Sequence, residues 1–73
     1  MKKIRVSLQR KIWAKIRCWQ SMNEVSDNQL ATSLTVAERT LRNYDKDAGK
    51  LSLEKVDNFL NFFGIEITDL LNL

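Results

Sequence analysis

Two short amphipathic segments within residues 26 to 44 constrain the fold of this chain more than any other feature. The stretch SDNQLATSLTVAERTLRNY indicates two helices joined by a tight turn. At about 100° per residue, Ala37, Leu41 and Tyr44 share one side of the second helix and can be buried against a small core. Polar groups that can hydrogen-bond to base edges or phosphates occupy the other side. These residues are Glu38, Arg39, Arg42, Asn43 and Lys46.

The length of 73 residues limits the chain to one domain, residues 1–73. A protein of this size buries only about 60% of the surface that its unfolded chain exposes, so a second core would not fit. Two glycines and no prolines cannot supply the regularly spaced turns of a β-sandwich. We therefore expect an all-α fold, a compact bundle of about five short helices.

Capping residues predict where the helices begin and end. Ser7, Ser26 and Ser52 are suitable N-caps, and Gly64 suits the end of the helix that follows Ser52. A last helical turn is expected to begin at Thr68. The residues expected to face the core are Leu8, Ile12, Ile16, Trp19, Leu30, Ala31, Leu34, Leu41, Tyr44, Leu53, Val56, Phe59, Leu60 and Phe63.

Basic residues are concentrated near the N-terminus. Residues 1–25 contain seven Lys and Arg residues and one Glu, a net charge of +6, whereas the remaining 48 residues carry −3. We interpret residues 1–6, with Lys2, Lys3 and Arg5, as a basic arm that contacts a polyanion together with the first helix. A solvated lysine-rich face is the alternative explanation of the same charges.

Several function classes find no support in the sequence. The chain has no histidine, no glycine-rich phosphate loop and no cluster of metal-ligand residues, so we expect no enzyme, cofactor, metal or small-molecule ligand. The single cysteine, Cys18, cannot form an internal disulfide, which fits a reducing, cytoplasmic setting. No apolar stretch has the length of a signal or membrane-spanning segment, so we expect no membrane association.

Apolar and capping residues recur along the chain in a particular order. They are Leu30-Ala31, Leu34, Val36, Leu41, Tyr44, the segment SLEKVDNFLNFFGI (Ser52 to Ile65) and Asp69-Leu70-Leu71. In this order and spacing, over roughly Leu8 to Leu71, the chain resembles the lambda-repressor-like, Cro-type family of helix-turn-helix domains. The resemblance implies a sequence-specific double-stranded DNA-binding transcription regulator. We expect a repressor of the kind found in bacteria and their phages or mobile elements.

Three features depart from the pattern of that family. Thr35 holds the turn position that is usually glycine, so an unusual backbone or a different turn is expected, because a β-branched residue resists positive φ. The connection before Val25 is longer than is typical. Asp27 lies at the head of the pair's first helix, where relatives often place an amide near a phosphate. A carboxylate there would repel DNA, so Asn28 is the nearer candidate for that contact.

The resemblance also implies which residues contact DNA, because in the family the second helix of the pair enters the major groove. The base-reading candidates are Ala37, Glu38, Arg39, Arg42 and Asn43. The phosphate candidates are Asn28, Thr40, Lys46, Lys50, Lys2, Lys3 and Arg5. Arg39 and Arg42 are the strongest base readers, since arginine can bind guanine through two hydrogen bonds. Glu38 could accept from cytosine or instead form an i,i+4 pair with Arg42.

Dimerisation is expected because one short recognition helix reads only a few base pairs. We expect a homodimer, at least on DNA, joined through the apolar C-terminal residues. Those residues are Ile67, Leu70, Leu71 and Leu73. Leu70 and Leu71 could instead close the core of a single chain.

An alternative function is a protein-interaction module on a helix-turn-helix scaffold, such as an antirepressor or an antitoxin-like regulator. The acidic residues Asp27 and Glu38 on the expected DNA face favour it, as does the leucine-rich end. Trp13 lies at the edge of the first helix's apolar stripe. It is either a rim residue that covers the core or part of a partner surface.

Overall fold

Five α-helices and one short 3-10 helix follow one another along residues 7–73, the part of the chain that the computed structural model describes. The α-helices are α1 (Leu8–Met22), α2 (Asp27–Leu34), α3 (Glu38–Lys46), α4 (Leu53–Phe63) and α5 (Ile67–Leu71), and the 3-10 helix spans Ala48–Lys50. The basic arm predicted for residues 1–6, with Lys2, Lys3 and Arg5, lies outside the described residues.

Helix is the only regular secondary structure between residues 7 and 73. The prediction of an all-α fold with about five short helices is therefore confirmed. None of the helices in this part of the chain is long and apolar enough to cross a membrane.

Serine hydroxyls begin three of the helices. The side chains of Ser7, Ser26 and Ser52 each accept a hydrogen bond from the backbone N–H three residues further along. The side-chain oxygen of Gln29 accepts in turn from the backbone N–H of Ser26, which completes a capping box on α2. These bonds satisfy backbone donors that a helix cannot pair internally, so the serines fix where α1, α2 and α4 start.

Three helices end in a left-handed residue that is followed by an apolar one. Glu24, Thr35 and Gly64 have φ angles of 53°, 60° and 66°. The residues that follow them are Val25, Val36 and Ile65. Each of these three donates its backbone N–H to the carbonyl five residues earlier and packs against the core. Gly64 therefore ends α4 as predicted, and Thr35 adopts a left-handed backbone at the end of α2 although it is β-branched.

Side chains from all five α-helices meet in one core. The fully buried apolar residues are Ile16 from α1, Leu30 and Leu34 from α2, Leu41 from α3, Phe59 from α4 and Leu70 from α5. α2 packs against α3 and α4, while α1 packs against the 3-10 helix and α5. The Trp19 ring lies 5.2 Å from that of Phe59 and 4.6 Å from that of Phe63, which joins α1 to α4.

The burial of three apolar side chains on α1 and α4 corrects two predictions and decides an alternative that the sequence left open. Leu8 and Leu53 are 61% and 71% exposed, so their assignment to the core is wrong. Each is the first residue of its helix, and the side chains of that helix that reach the core begin one turn further along the chain. Trp13 is only 5% exposed and belongs to the core. Its ring is therefore not a surface for a partner.

The C-terminal helix begins earlier than predicted, and this decides which leucine is buried. α5 follows Glu66, not Thr68. In this register Leu70 lies on the side of α5 that packs on α1 and is fully buried, so its assignment to a dimer interface is wrong. The other three residues predicted at the interface keep between 38% and 45% of their surface exposed. They are Ile67, Leu71 and Leu73.

Candidate nucleic-acid interface

α3 is held in place by one buried side. Leu41 is fully buried and Tyr44 is 5% exposed, as the sequence predicts. The Tyr44 ring meets the Trp13 ring of α1 edge-on, with 5.2 Å between the ring centroids. Only three residues, Thr35 to Ala37, separate α2 from α3. These contacts fix α3 against both α1 and α2.

The opposite side of α3 presents polar side chains to solvent. The exposed residues there are Glu38, Arg39, Arg42, Asn43 and Lys46. Ala37, the N-cap residue that precedes α3, is also exposed, so its placement with Leu41 and Tyr44 on the buried side is wrong. Both ion pairs found between residues 7 and 73 involve Arg17, so neither engages Arg39, Arg42 or Lys46. The two arginines predicted to read bases therefore point away from the core. No ion pair with another described residue holds them there.

The remaining phosphate candidates lie on the elements around α3. Asn28 is exposed in the first turn of α2, and Lys50 is exposed at the end of the 3-10 helix that follows α3. Thr40, on α3 itself, is half-buried. Lys2, Lys3 and Arg5 lie outside the described residues, so the structure does not relate them to this surface.

A hydrogen bond joins the first turns of α2 and α3. The side-chain amide of Asn28 donates to the Glu38 carboxylate at 3.2 Å. The i,i+4 ion pair between Glu38 and Arg42, which the sequence left open, is not formed. A candidate phosphate residue and a candidate base residue thus contact each other. Sequence spacing gives no sign of this bond, because it depends on how the two helices pack.

Arg17 of α1 bonds to both α2 and α3. Its Nε and Nη2 donate to the two carboxylate oxygens of Asp45 at 3.1 and 2.9 Å. Its Nη1 donates to Asp27, the first residue of α2, at 2.9 Å. The guanidinium lies 5.2 Å from the centre of the Trp13 ring, and the Trp13 indole N–H donates to Asp45 at 2.7 Å. With Gln20, these residues form what we call the Arg17 cluster.

Gln20 completes the Arg17 cluster from a buried position on α1. Its oxygen accepts from Arg17 Nη1 at 2.7 Å, and its nitrogen donates to Asp27 at 2.7 Å. The hydrogen bonds from Gln20 and Arg17 lower the pKa of Asp27, and those from Arg17 and Trp13 lower the pKa of Asp45. Both carboxylates are therefore ionised and paired at neutral pH.

The sequence did not predict the Arg17 cluster. Arg17 counted there only as part of the N-terminal positive charge, and Asp27 as a carboxylate that would repel DNA. One signal was present: Trp13, Arg17 and Gln20 follow one another at intervals of four and three residues, which places them on one face of α1. Their partners on α2 and α3 could not be found from local spacing.

The exposed side of α3 combines positive charge with hydrogen-bonding groups. Arg39, Arg42 and Lys46 each carry a positive charge, and Glu38 carries a negative one. Arginine and asparagine side chains can make paired hydrogen bonds to base edges, and lysine can bind phosphate.

Comparison with known proteins found no matching family model, curated protein or solved structure.

Proposed function

We propose that this protein is a sequence-specific double-stranded DNA-binding regulator of transcription that places α3 in the major groove. The observation that carries the proposal is the two-sided character of α3. Leu41 and Tyr44 anchor one side, and Arg39, Arg42 and Asn43 are exposed on the other. An α-helix fits the width of the major groove, and arginine and asparagine are suited to guanine and adenine.

The surrounding polar residues supply the contacts that orient such a helix. In the proposed complex the exposed Asn28, Lys46 and Lys50, together with Thr40, bind phosphates on either side of the groove. Ala37 and Glu38 approach the bases at the start of α3. Because Glu38 accepts a hydrogen bond from Asn28, these two residues would act together.

The regulatory role in this proposal comes from the resemblance to the Cro-type family. We propose a cytoplasmic repressor that blocks a promoter, binding as two copies on half-sites about 34 Å apart. The exposed Ile67, Leu71 and Leu73 are the residues proposed to join the two copies.

A protein-interaction module is the second candidate function. The exposed Phe62, at 56%, and the exposed leucines of the C-terminal end favour it. Two features that favoured it in the sequence are used inside the chain instead, because Trp13 is buried and Asp27 is paired with Arg17. Retention of a protein partner without DNA in a pull-down would support this candidate over the first.

Selection of bound sequences from random duplex DNA tests the proposal. The expected result is an enriched consensus, palindromic if two copies bind. Arg42→Ala should then cost about 1–3 kcal/mol of binding and relax the preference at one position of the consensus. Lys46→Ala is the matched control, because a phosphate contact should weaken all sequences alike and lower the salt slope by about 1. An unchanged preference in Arg42→Ala would show that α3 is docked wrongly.

A further inference from the structure

We propose that Arg17 strengthens DNA binding without contacting DNA, by offsetting half of the negative charge that Asp27 and Asp45 place beside the α3 surface. The inference rests on the proposed function. It adds to that function a residue of α1 that affects binding although it touches neither bases nor phosphates. Arg17 acts through the two carboxylates and is therefore a positioning residue.

The guanidinium of Arg17 has almost no hydrogen-bonding capacity left for a phosphate. Arginine has five N–H donors. Four hydrogen bonds run from Arg17 to Asp45, Asp27 and Gln20, with lengths between 2.7 and 3.1 Å. The group also lies over the Trp13 ring, with its central carbon 5.2 Å from the ring centre. A phosphate could bind Arg17 only by breaking these contacts.

The two carboxylates border the surface proposed to meet DNA. Asp27 precedes Asn28 at the head of α2, and Asp45 lies one turn after Arg42 on α3. Their side chains are 42% and 44% exposed, so they face solvent on one side. The positive charge of Arg42 helps to lower the pKa of both carboxyls, which indicates that it lies within electrostatic reach of them.

Charge cancellation follows from this arrangement. With Arg17 in place, the three charged groups sum to −1, and without it they sum to −2 beside Arg42 and the head of α2. DNA carries a phosphate charge about every 1.7 Å along its axis, so uncompensated carboxylates at this border oppose binding. Arg17 thereby allows an acidic residue to occupy the start of α2.

Asp27→Asn is the most direct test, because it removes one charge and keeps the bidentate bond between Arg17 and Asp45. Binding is measured on the duplex selected with the wild-type protein, by fluorescence anisotropy at two salt concentrations. We expect Asp27→Asn to bind about twofold to fivefold more tightly, with a larger gain at low salt. Asp69→Asn is the control for net charge, because Asp69 lies on α5 and belongs neither to the Arg17 cluster nor to α3, and it should change the Kd less.

Substitutions of Arg17 separate charge from shape. Arg17→Gln should weaken binding about threefold to tenfold, whereas Arg17→Lys should keep most of the affinity, although both lose the forked hydrogen bonds and stability. Arg17→Gln combined with Asp27→Asn and Asp45→Asn should bind at least as tightly as the wild type. Thermal unfolding of each variant confirms that binding is measured on folded protein.

Four results would contradict the proposals. If the wild type binds the selected duplex but Asp27→Asn leaves the Kd unchanged, Arg17 has no electrostatic role. If Arg17→Lys is as weak as Arg17→Gln, the role of Arg17 is only structural. If the triple variant stays weak while folded and its salt slope falls by about 0.9, Arg17 binds a phosphate directly. A wild type that selects no duplex overturns the proposed function itself, and the inference with it.

Discussion

Arg17 shows how one side chain makes an acidic residue acceptable at an unexpected position. Asp27 lies where the Cro-type resemblance leads one to expect an amide, yet its carboxylate accepts hydrogen bonds from Arg17 at 2.9 Å and Gln20 at 2.7 Å. The same guanidinium holds Asp45 on α3. Two partly exposed ion pairs of this kind are each worth about 0.2–1 kcal/mol, so their main effect is to orient three helices.

The Arg17 cluster predicts a pH dependence of stability. The folded chain holds the pKa of Asp27 and Asp45 below their usual value, so acid protonates these groups in the unfolded chain first. Their stabilisation is present above the unfolded pKa of about 3.9 and is lost as the pH falls below it. In urea titrations between pH 6 and pH 2.5, the wild type should lose about 1 kcal/mol more than Asp27→Asn/Asp45→Asn. Equal losses would mean that the ion pairs contribute nothing.

Single residues also mark the limit of what the sequence could predict. Leu41 and Tyr44 were correctly placed in the core because helical periodicity alone separates them from the polar side of α3. The bonds of Arg17 to Asp27 and Asp45 span 10 and 28 residues, and no periodic pattern reports contacts of that kind. The bond between Asn28 and Glu38 is of the same type.

At the level of helices, the ends of α1 and α2 carry strain that a glycine would relieve. Glu24 and Thr35 both have positive φ, but their side chains differ in what they contact. The Thr35 hydroxyl donates to the Leu34 carbonyl at 2.5 Å and accepts from the Lys55 ammonium at 3.0 Å. The turn between α2 and α3 is thereby tied to α4, whereas the side chain of Glu24 is exposed.

This difference predicts that one of two glycine substitutions stabilises the chain and the other does not. Glu24→Gly should raise the free energy of unfolding by about 1 kcal/mol, because the left-handed conformation costs most residues about 1–2 kcal/mol. Thr35→Gly gains the same relief but loses hydrogen bonds worth about 0.5–1.5 kcal/mol each, so it should not stabilise the chain. Chemical denaturation measures both values. Equal stabilisation by the two variants would show that the Thr35 hydroxyl contributes nothing.

The helix boundaries were predictable where a local signal defines them. Ser7, Ser26, Ser52 and Gly64 act within three to five residues along the chain, so the sequence is sufficient to place them. The start of α5 lacks such a signal, because Glu66 makes no side-chain cap bond. The sequence therefore placed this helix too late, and the burial of its leucines followed from packing against α1.

For the whole molecule, the C-terminal end divides into a core residue and exposed neighbours. Leu70 is fully buried, while Leu71 is 45% exposed. Adjacent leucines in a short helix cannot be separated by composition or by a single turn of periodicity. Packing of α5 on α1 determines which leucine is buried. The exposed residues Ile67, Leu71 and Leu73 remain available for the proposed contact between two copies.

This division predicts that two neighbouring substitutions act on different properties. Leu70→Ala should lower the free energy of unfolding by about 2–5 kcal/mol, because it leaves a cavity in the core. Leu71→Asp should change it by no more than about 0.5 kcal/mol, yet weaken binding to a palindromic duplex relative to a half-site. Denaturation and anisotropy titrations measure the two effects. If Leu71→Asp binds the palindrome as the wild type does, this end does not join two copies.

The most direct test of the central claim is an NMR titration of the isotope-labelled protein with its selected duplex, following each backbone amide. If the exposed side of α3 reads DNA, the largest shift changes fall on residues 37–43 and the start of α2. The amides of α4 should change little, since α4 supplies none of the proposed DNA contacts. Changes confined to α4 and residues 67–73, with residues 37–43 unaffected, would contradict the account.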